Sequence, residues 1–189
     1  EFLEDATWNV LSNAIAKAGK AVGQKETEKI IALYAGIADG DLATGAVLAG
    51  GGTVMSWTKL LSLWYAIKSE KWMANVLAIN DMQMAQLLND ATFTNAQYLQ
   101  SGQTDVEAGV VSGALGMKIV SSPLVPNGTA YAIDTSVASV MLLRRDVTVQ
   151  DWEDVKSGKF GVRATTRFGL GILRANAVAK MTNIKTTLT

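Results

Sequence analysis

Residues 160–176 read FGVRATTRFGLGILRAN, and their alternation constrains the fold more than any other stretch. One set of alternate residues is Phe160, Val162, Ala164, Thr166, Phe168, Leu170 and Ile172. The other is Gly161, Arg163, Thr165, Arg167, Gly169 and Gly171. Side chains of a strand point alternately to its two faces, so this period of two predicts a β-strand with one buried and one open face. The strand would run for roughly fifteen residues, where ordinary strands run about five or six. Its length and the guanidinium groups on its open face both need a use.

Composition narrows the uses. The 189 residues suffice for one large domain or two small ones with a real core. Hydrophobic residues make up 49% and charged residues 18%, which leaves little charge to coat a monomer. Some surface buried against neighbours would account for this; an ordinary large-core α/β domain is the alternative. Seventeen basic residues balance seventeen acidic ones, so no global basic field holds nucleic acid. The chain has no cysteine and no histidine. That removes disulfides, thiolate metal sites, Cys nucleophiles, Ser-His-Asp catalysis and His-ligated zinc. No enzyme activity, cofactor or metal is expected. No apolar run reaches the roughly twenty residues of a membrane span, and no membrane partner is expected.

Trp8, Leu11, Ile15, Ala18 and Val22 are spaced three and four apart, and the stripe continues through Ile30, Leu33 and Ile37. This predicts one long helix over 5–35, started by Asp5 or Thr7, or two helices broken at Gly23. The Gly- and Ala-rich passage 36–53, ending in AGGGT, has the composition of a mobile connection. Ser56 then caps a helix to about Lys71 with Trp57, Leu60, Leu61, Trp64 and Ile67 inward. VLAIN (76–80) reads as a short buried strand, and Asn80 or Asp81 caps a helix carrying Met84, Leu87 and Leu88. After residue 104 the chain is rich in turns and short strands. SVASVMLLRRDVTVQ is a further strand, and DWEDVKSGK a polar turn region.

Several motifs point to bland readings. AGGGT lacks the Lys-Ser/Thr that a phosphate loop requires. Asn127-Gly128-Thr129 matches a glycosylation sequon, but Pro-Asn-Gly is a strong turn signal and the turn is favoured. Asp39 with Asp41, and Asp151, Glu153 and Asp154, are carboxylate clusters in polar connections, better read as solvated than as catalytic or metal-binding. Arg144, Arg145, Arg163, Arg167 and Arg174 remain. They either coat an exposed sheet face with charge or contact another subunit, where Arg is favoured for its bidentate pairing with carboxylates.

The order of these pieces resembles a known family. A long amphipathic helix leads through a Gly-rich passage into an α/β unit, then LGMKIVSSPLVPNGTAYAIDTS, then VMLLRRDVTVQDWEDVKSGKFGVRATTRFGLGILRANAVAKM. Leu115, Gly116, Ile119, Val120, Ser122, Pro126, Gly128, Tyr131, Asp134, Arg163, Arg167 and Gly169 match the cadence of major capsid proteins of tailed viruses with the Hong Kong 97-type fold. Encapsulin shell proteins share that fold. The resemblance implies an α+β chain with a long spine helix, an elongated antiparallel sheet and a compact α/β axial domain. Residues 1–45 and 138–174 would form the peripheral domain, and 46–137 with 175–189 the axial domain. The family's N-terminal arm and extended loop are expected to be absent from this chain. The implied function is a capsid subunit that self-assembles into pentamers and hexamers of an icosahedral shell. The shell would be assembled in the host cytoplasm and enclose genomic DNA without sequence-specific contacts, with scaffold or decoration proteins as further partners. An encapsulin-like shell around an enzyme cargo is the alternative within the fold. A small-ligand-binding or carboxylate-dependent enzyme domain is the alternative outside it.

Overall fold

A computed structural model describes residues 10–91, 104–105, 110–111, 113–154, 156–157 and 159–188. In chain order the elements are α1 (Val10–Ala35), β1 (Leu48–Ala49), α2 (Trp57–Ser69), β2 (Val76–Ile79), α3 (Asp81–Asn89), β3 (Thr104–Asp105), β4 (Val110–Val111), β5 (Gly113–Ala114), β6 (Met117–Ser121), β7 (Ala130–Ile133), β8 (Ser139–Asp154), β9 (Lys159–Ile172) and β10 (Val178–Thr182). Short 3-10 turns lie at Asp39–Asp41, Ala43–Gly45 and Ala175–Ala177. The chain divides into two compact units, Glu1–Ala32 with Met141–Gly171 and Leu33–Val140 with Ile172–Thr189.

The first unit is built from α1 and the β8–β9 hairpin. α1 is one helix of 26 residues, about 39 Å at 1.5 Å per residue, and passes through Gly23 without a break. Thr27 Oγ1 donates to the Gly23 carbonyl at 2.9 Å. Of the predicted stripe, Ala18 and Val22 are half-buried, whereas Ile15 is 37% exposed. Asp5, Thr7 and Trp8 lie outside the described residues. β8 and β9 are hydrogen-bonded neighbours separated by residues 155–158, too short a connection for anything but an antiparallel pair. The polar stretch predicted as a turn from residue 151 is strand through Asp154. Charged residues weaken strand propensity, but an open hairpin gives them water on the strand.

The alternation along β9 survives in part: Val162, Ala164, Thr166, Phe168 and Leu170 are half-buried and Arg163, Arg167 and Gly169 exposed, but Gly161, Thr165 and Gly171 of the predicted open face are half-buried too. Ala164, Thr166 and Phe168 line a groove of about 460 Å³ with Ala18, Val22 and Lys29 of α1. There the Lys29 ammonium sits 5.3 Å from the Phe168 ring centroid, within cation–π range.

The second unit carries a six-stranded sheet in the order β1-β10-β7-β2-β6-β5. β2 runs parallel to β6, with Val76 opposite Lys118, and antiparallel to β7, with Val76 opposite Ile133. β10 is antiparallel to β7 and parallel to β1. β7 is buried along its whole length, as a strand covered on both sides must be. The core joins Leu60, Leu63 and Ile67 of α2 to Leu77 and Ile79 of β2, Leu87 of α3, Met117 and Met181. Each such side chain contributes about 1.5–3 kcal/mol by leaving water. Leu61, predicted to face inward, is 42% exposed. It lies about 100° around the helix from Leu60, and the buried positions follow Leu60, Leu63 and Ile67 instead. Asn80 is the cap of α3, accepting from the Met82 N–H at 3.0 Å. Thr104 pairs with Val111 in a separate two-stranded sheet.

The Gly-rich passage is not a loose connection. The Gly50 N–H donates to the Thr182 carbonyl at 2.7 Å and the Gly52 N–H to the Asn183 carbonyl at 2.7 Å. The Lys185 N–H donates to the Thr53 carbonyl at 3.0 Å. Two amides that a phosphate loop would offer to a ligand are spent on the chain's own C-terminal segment. Gly50 has no room for a side chain, because a Cβ there would lie 2.7 Å from both the Asn183 oxygen and the Ile184 nitrogen.

A candidate intersubunit face on the long hairpin

Among the five predicted arginines, the structure brings three together. The Arg145 guanidinium donates to Thr165 Oγ1 at 3.1 Å. It therefore reaches the face of β9 that carries Thr165, and strand alternation puts Arg163 and Arg167 on that same face. Thr166, whose side chain belongs to the opposite face, donates its hydroxyl to the Arg145 carbonyl at 3.2 Å. Arg144 falls on the other face of β8 by the same alternation. Arg174 sits apart from this cluster in sequence and in structural unit. It precedes the turn at Ala175–Ala177 in the second unit, and its N–H donates to the Ala138 carbonyl at 3.2 Å. All five arginines are exposed, and among the described residues none forms an ion pair.

Trp152 completes this part of the hairpin. A Cβ on Gly161 would lie 2.5 Å from its indole, so the glycine lets the ring lie against β9 while remaining 49% exposed. Periodicity did not single out β8, yet β8 is the more unusual strand. Met141 is 44% exposed, Leu142 66% and Leu143 54%. The signal was present as the consecutive run VMLL, which a two-faced strand cannot bury on one side.

Asp39, Asn127 and Asp134 make contacts within the second unit, while the side chains of Asp151 and Asp154 lie outside the described ones. The exposed Asp39 lies 3.7 Å from the largely buried Lys180, and among the described residues no three acidic side chains gather in a way that could hold a metal ion. Asn127 and Gly128 form a turn closed by the Thr129 N–H on the Pro126 carbonyl at 3.1 Å. The Asn127 amide donates to the Thr186 carbonyl at 3.2 Å. Asp134 is buried and accepts from the Met73 N–H at 3.0 Å and the Ser136 N–H at 3.1 Å. Burial alone would push its carboxyl upward, but the bonds from the Ser136 hydroxyl and from these two amides outweigh it and hold the group below the usual carboxylate range.

No curated protein sequence matches this chain. Solved structures do. The holo-SrpI encapsulin complex from Synechococcus elongatus PCC 7942 superimposes with a TM-score of 0.70 at 12% identity, over 98% of this chain and 70% of that one. The structure of Mycobacterium phage Che8 gives 0.64 at 16% identity, over 90% and 62%. The capsid of the cyanophage P-SCSP1u gives 0.65 at 16% identity, over 94% and 67%. At these identities the likeness establishes the fold, the α+β Hong Kong 97-like arrangement of capsids. A family model described as "Phage capsid protein" matches residues 1–181. The chain belongs to the phage capsid protein family and is a structural component of a virion shell.

Proposed function

We propose that this chain is the major capsid subunit of a tailed virus, assembling into pentamers and hexamers of an icosahedral shell that encloses genomic DNA. The observation that carries the reading is the hairpin, whose one face groups Arg145, Arg163 and Arg167 without an acidic partner among the described residues. Exposed arginines contribute little to a monomer's stability, whereas carboxylates of a neighbouring copy would meet them in a desolvated contact. Repeated over closed symmetry, modest heterologous contacts of this kind build a shell. The long strand then has a use: it runs along an elongated peripheral domain, residues 1–45 and 138–174. Residues 46–137 and 175–189 form the axial domain around the capsomer axis. The chain's division into two compact units supports a two-domain arrangement, with 33–45, 138–140 and 172–174 falling in the second unit. A balanced net charge lets copies approach one another, and packaged DNA is enclosed without base-specific contacts. The role is structural, without catalysis; assembly takes place in the host cytoplasm, with scaffold or decoration proteins as further partners.

The likeness to an encapsulin favours a second reading, a nanocompartment around a protein cargo. Negative-stain microscopy and light scattering across concentration test the common part. Closed shells or capsomers are expected, and a strict monomer under all conditions would overturn it. What co-purifies separates the two readings, nucleic acid for a capsid and a protein for a nanocompartment.

A further inference from the structure

An asparagine followed by glycine is open to attack on its side-chain amide, because no side chain on the glycine keeps its nitrogen from the asparagine Cγ. Of the chain's asparagines only Asn127 precedes a glycine. Asn127 is exposed, and among the described residues the Gly128 N–H has no hydrogen-bond partner. The fold nevertheless holds the pair out of reaction. Gly128 has a φ of +82°, Asn127 is not among the residues at positive φ, and the Thr129 N–H bonds the Pro126 carbonyl at 3.1 Å. That is a type II turn, in which the residue before the glycine has a ψ of about +120°, and the glycine nitrogen is turned away from the preceding side chain. The Asn127 amide is also tied at both ends. Its Nδ2 donates to the Thr186 carbonyl at 3.2 Å and its Oδ1 accepts from Gln83 Nε2 at 2.9 Å. The same segment pins the turn itself. The Ile184 N–H donates to the Gly128 carbonyl at 3.0 Å, and a Cβ on Gly128 would lie 2.8 Å from the Ile184 oxygen.

We propose that Asn127 is a deamidation site gated by residues 184–186: it reacts when that segment lifts from the turn, and the product keeps the segment from seating again. With the segment lifted, the turn is free to unmake and the Gly128 nitrogen swings towards Asn127 Cγ. The nitrogen loses its proton and bonds to Cγ; the bond from Cγ to Nδ2 breaks, and Nδ2 leaves as ammonia, taking up a proton in exchange. Water then opens the five-membered imide. Cleavage of the new bond from Cγ to nitrogen leaves aspartate. Cleavage of the other carbonyl–nitrogen bond leaves isoaspartate, whose main chain runs through Cγ. One water is consumed and one ammonia released, with no oxidation or reduction. Both products spoil the seat. Aspartate sets an oxygen where Nδ2 faced the Thr186 carbonyl, so that two acceptors meet. Isoaspartate adds a methylene to the main chain of the turn that presents Gly128 to Ile184.

The test incubates the full chain at mildly alkaline pH, in buffer and in urea, and follows residue 127 by peptide mass mapping with isoaspartyl methyltransferase labelling. In urea Asn127 should deamidate ahead of every other asparagine. In buffer it should be slowed by the same factor as hydrogen exchange at the Ile184 amide, since one opening exposes both. Gln86→Leu removes the bonds that hold residues 185 and 187, and should speed the reaction in buffer at least about fivefold. Equal rates in buffer and urea would overturn the gate, as would a rate in buffer that Gln86→Leu leaves unchanged while the variant still melts cooperatively. The comparison with hydrogen exchange needs no variant and decides the matter if Gln86→Leu does not fold: a slowing far from that of the Ile184 amide overturns the gate. For the product, Asn127→Asp should raise hydrogen exchange at the Ile184 and Lys185 amides, and exchange equal to the parent's in both this variant and the isoaspartyl chain would overturn the claim that the product holds the segment open.

Discussion

Gln86 holds the end of the chain: its Nε2 donates to the Lys185 carbonyl at 2.8 Å and also to the Thr187 carbonyl at 2.6 Å. Its Oε1 accepts from the Met55 N–H at 2.7 Å. A buried side chain on α3 thus joins the residues that precede α2 to the C-terminal segment. Gln83, one turn earlier, donates to the Lys185 carbonyl at 3.1 Å and to Asn127 Oδ1 at 2.9 Å. Gln86→Leu keeps the volume but strands the Met55 N–H, at about 1–3 kcal/mol for a buried unpaired group, and leaves the Lys185 carbonyl to Gln83 alone. We expect the urea midpoint to fall by the equivalent of about 1–3 kcal/mol. An unchanged midpoint would mean that the C-terminal segment is not held this way.

Neighbouring glycines in AGGGT should respond differently to the same substitution. Gly50→Ala places a methyl 2.7 Å from backbone atoms of Asn183 and Ile184, which must move apart. Gly51 has open space around it but a φ of +66°. Overpacking against backbone costs about 1–3 kcal/mol, and a left-handed alanine about 1–2. Gly51→Asn should recover most of its loss, because Asn tolerates that conformation, while Gly50→Asn should be worse than Gly50→Ala. Thermal melts of the four variants check the order.

These two cases show where sequence reading stops. The β9 alternation, the α1 stripe and the Asn80 cap are local patterns, legible because a strand repeats every two residues, a helix every 3.6, and a cap is set by its own neighbours. Gly50 is required by atoms at residues 183 and 184, which no local window contains. Gln83 and Gln86 share a helix face with Leu87, but a search for apolar stripes passes over glutamines whose burial depends on distant carbonyls. The arginines were found as a set by residue type. Their sorting into Arg145, Arg163 and Arg167 on one face needed the Arg145–Thr165 contact between strands.

Asp134 makes stability depend on acid. Its folded pKa lies below the ordinary 3.8, so its contribution is fully present above that value and is lost as pH falls through the lower folded value. Asp134→Asn replaces one accepting oxygen with a donor facing the Met73 N–H or the Ser136 groups. The variant should be less stable than the parent at neutral pH, and the gap should narrow as pH drops below 3.8. Urea midpoints from pH 7 to pH 3 measure this, and a gap that stays constant with pH would exclude the carboxylate as its source.

Arg163→Glu with Arg167→Glu tests whether the hairpin face serves the fold or the assembly. Both side chains are exposed, and neither has an ion pair among the described residues. Surface changes of this kind usually shift stability by no more than about 0.5 kcal/mol, or roughly 2 °C for a chain of this size. The monomer should therefore melt within about 2 °C of the parent, while assembly followed by light scattering is lost, since reversed charges would face carboxylates across the contact. If the monomer instead melts much earlier, the arginines stabilise the hairpin. If it melts normally and still assembles, the face lies outside the contacts that build the shell.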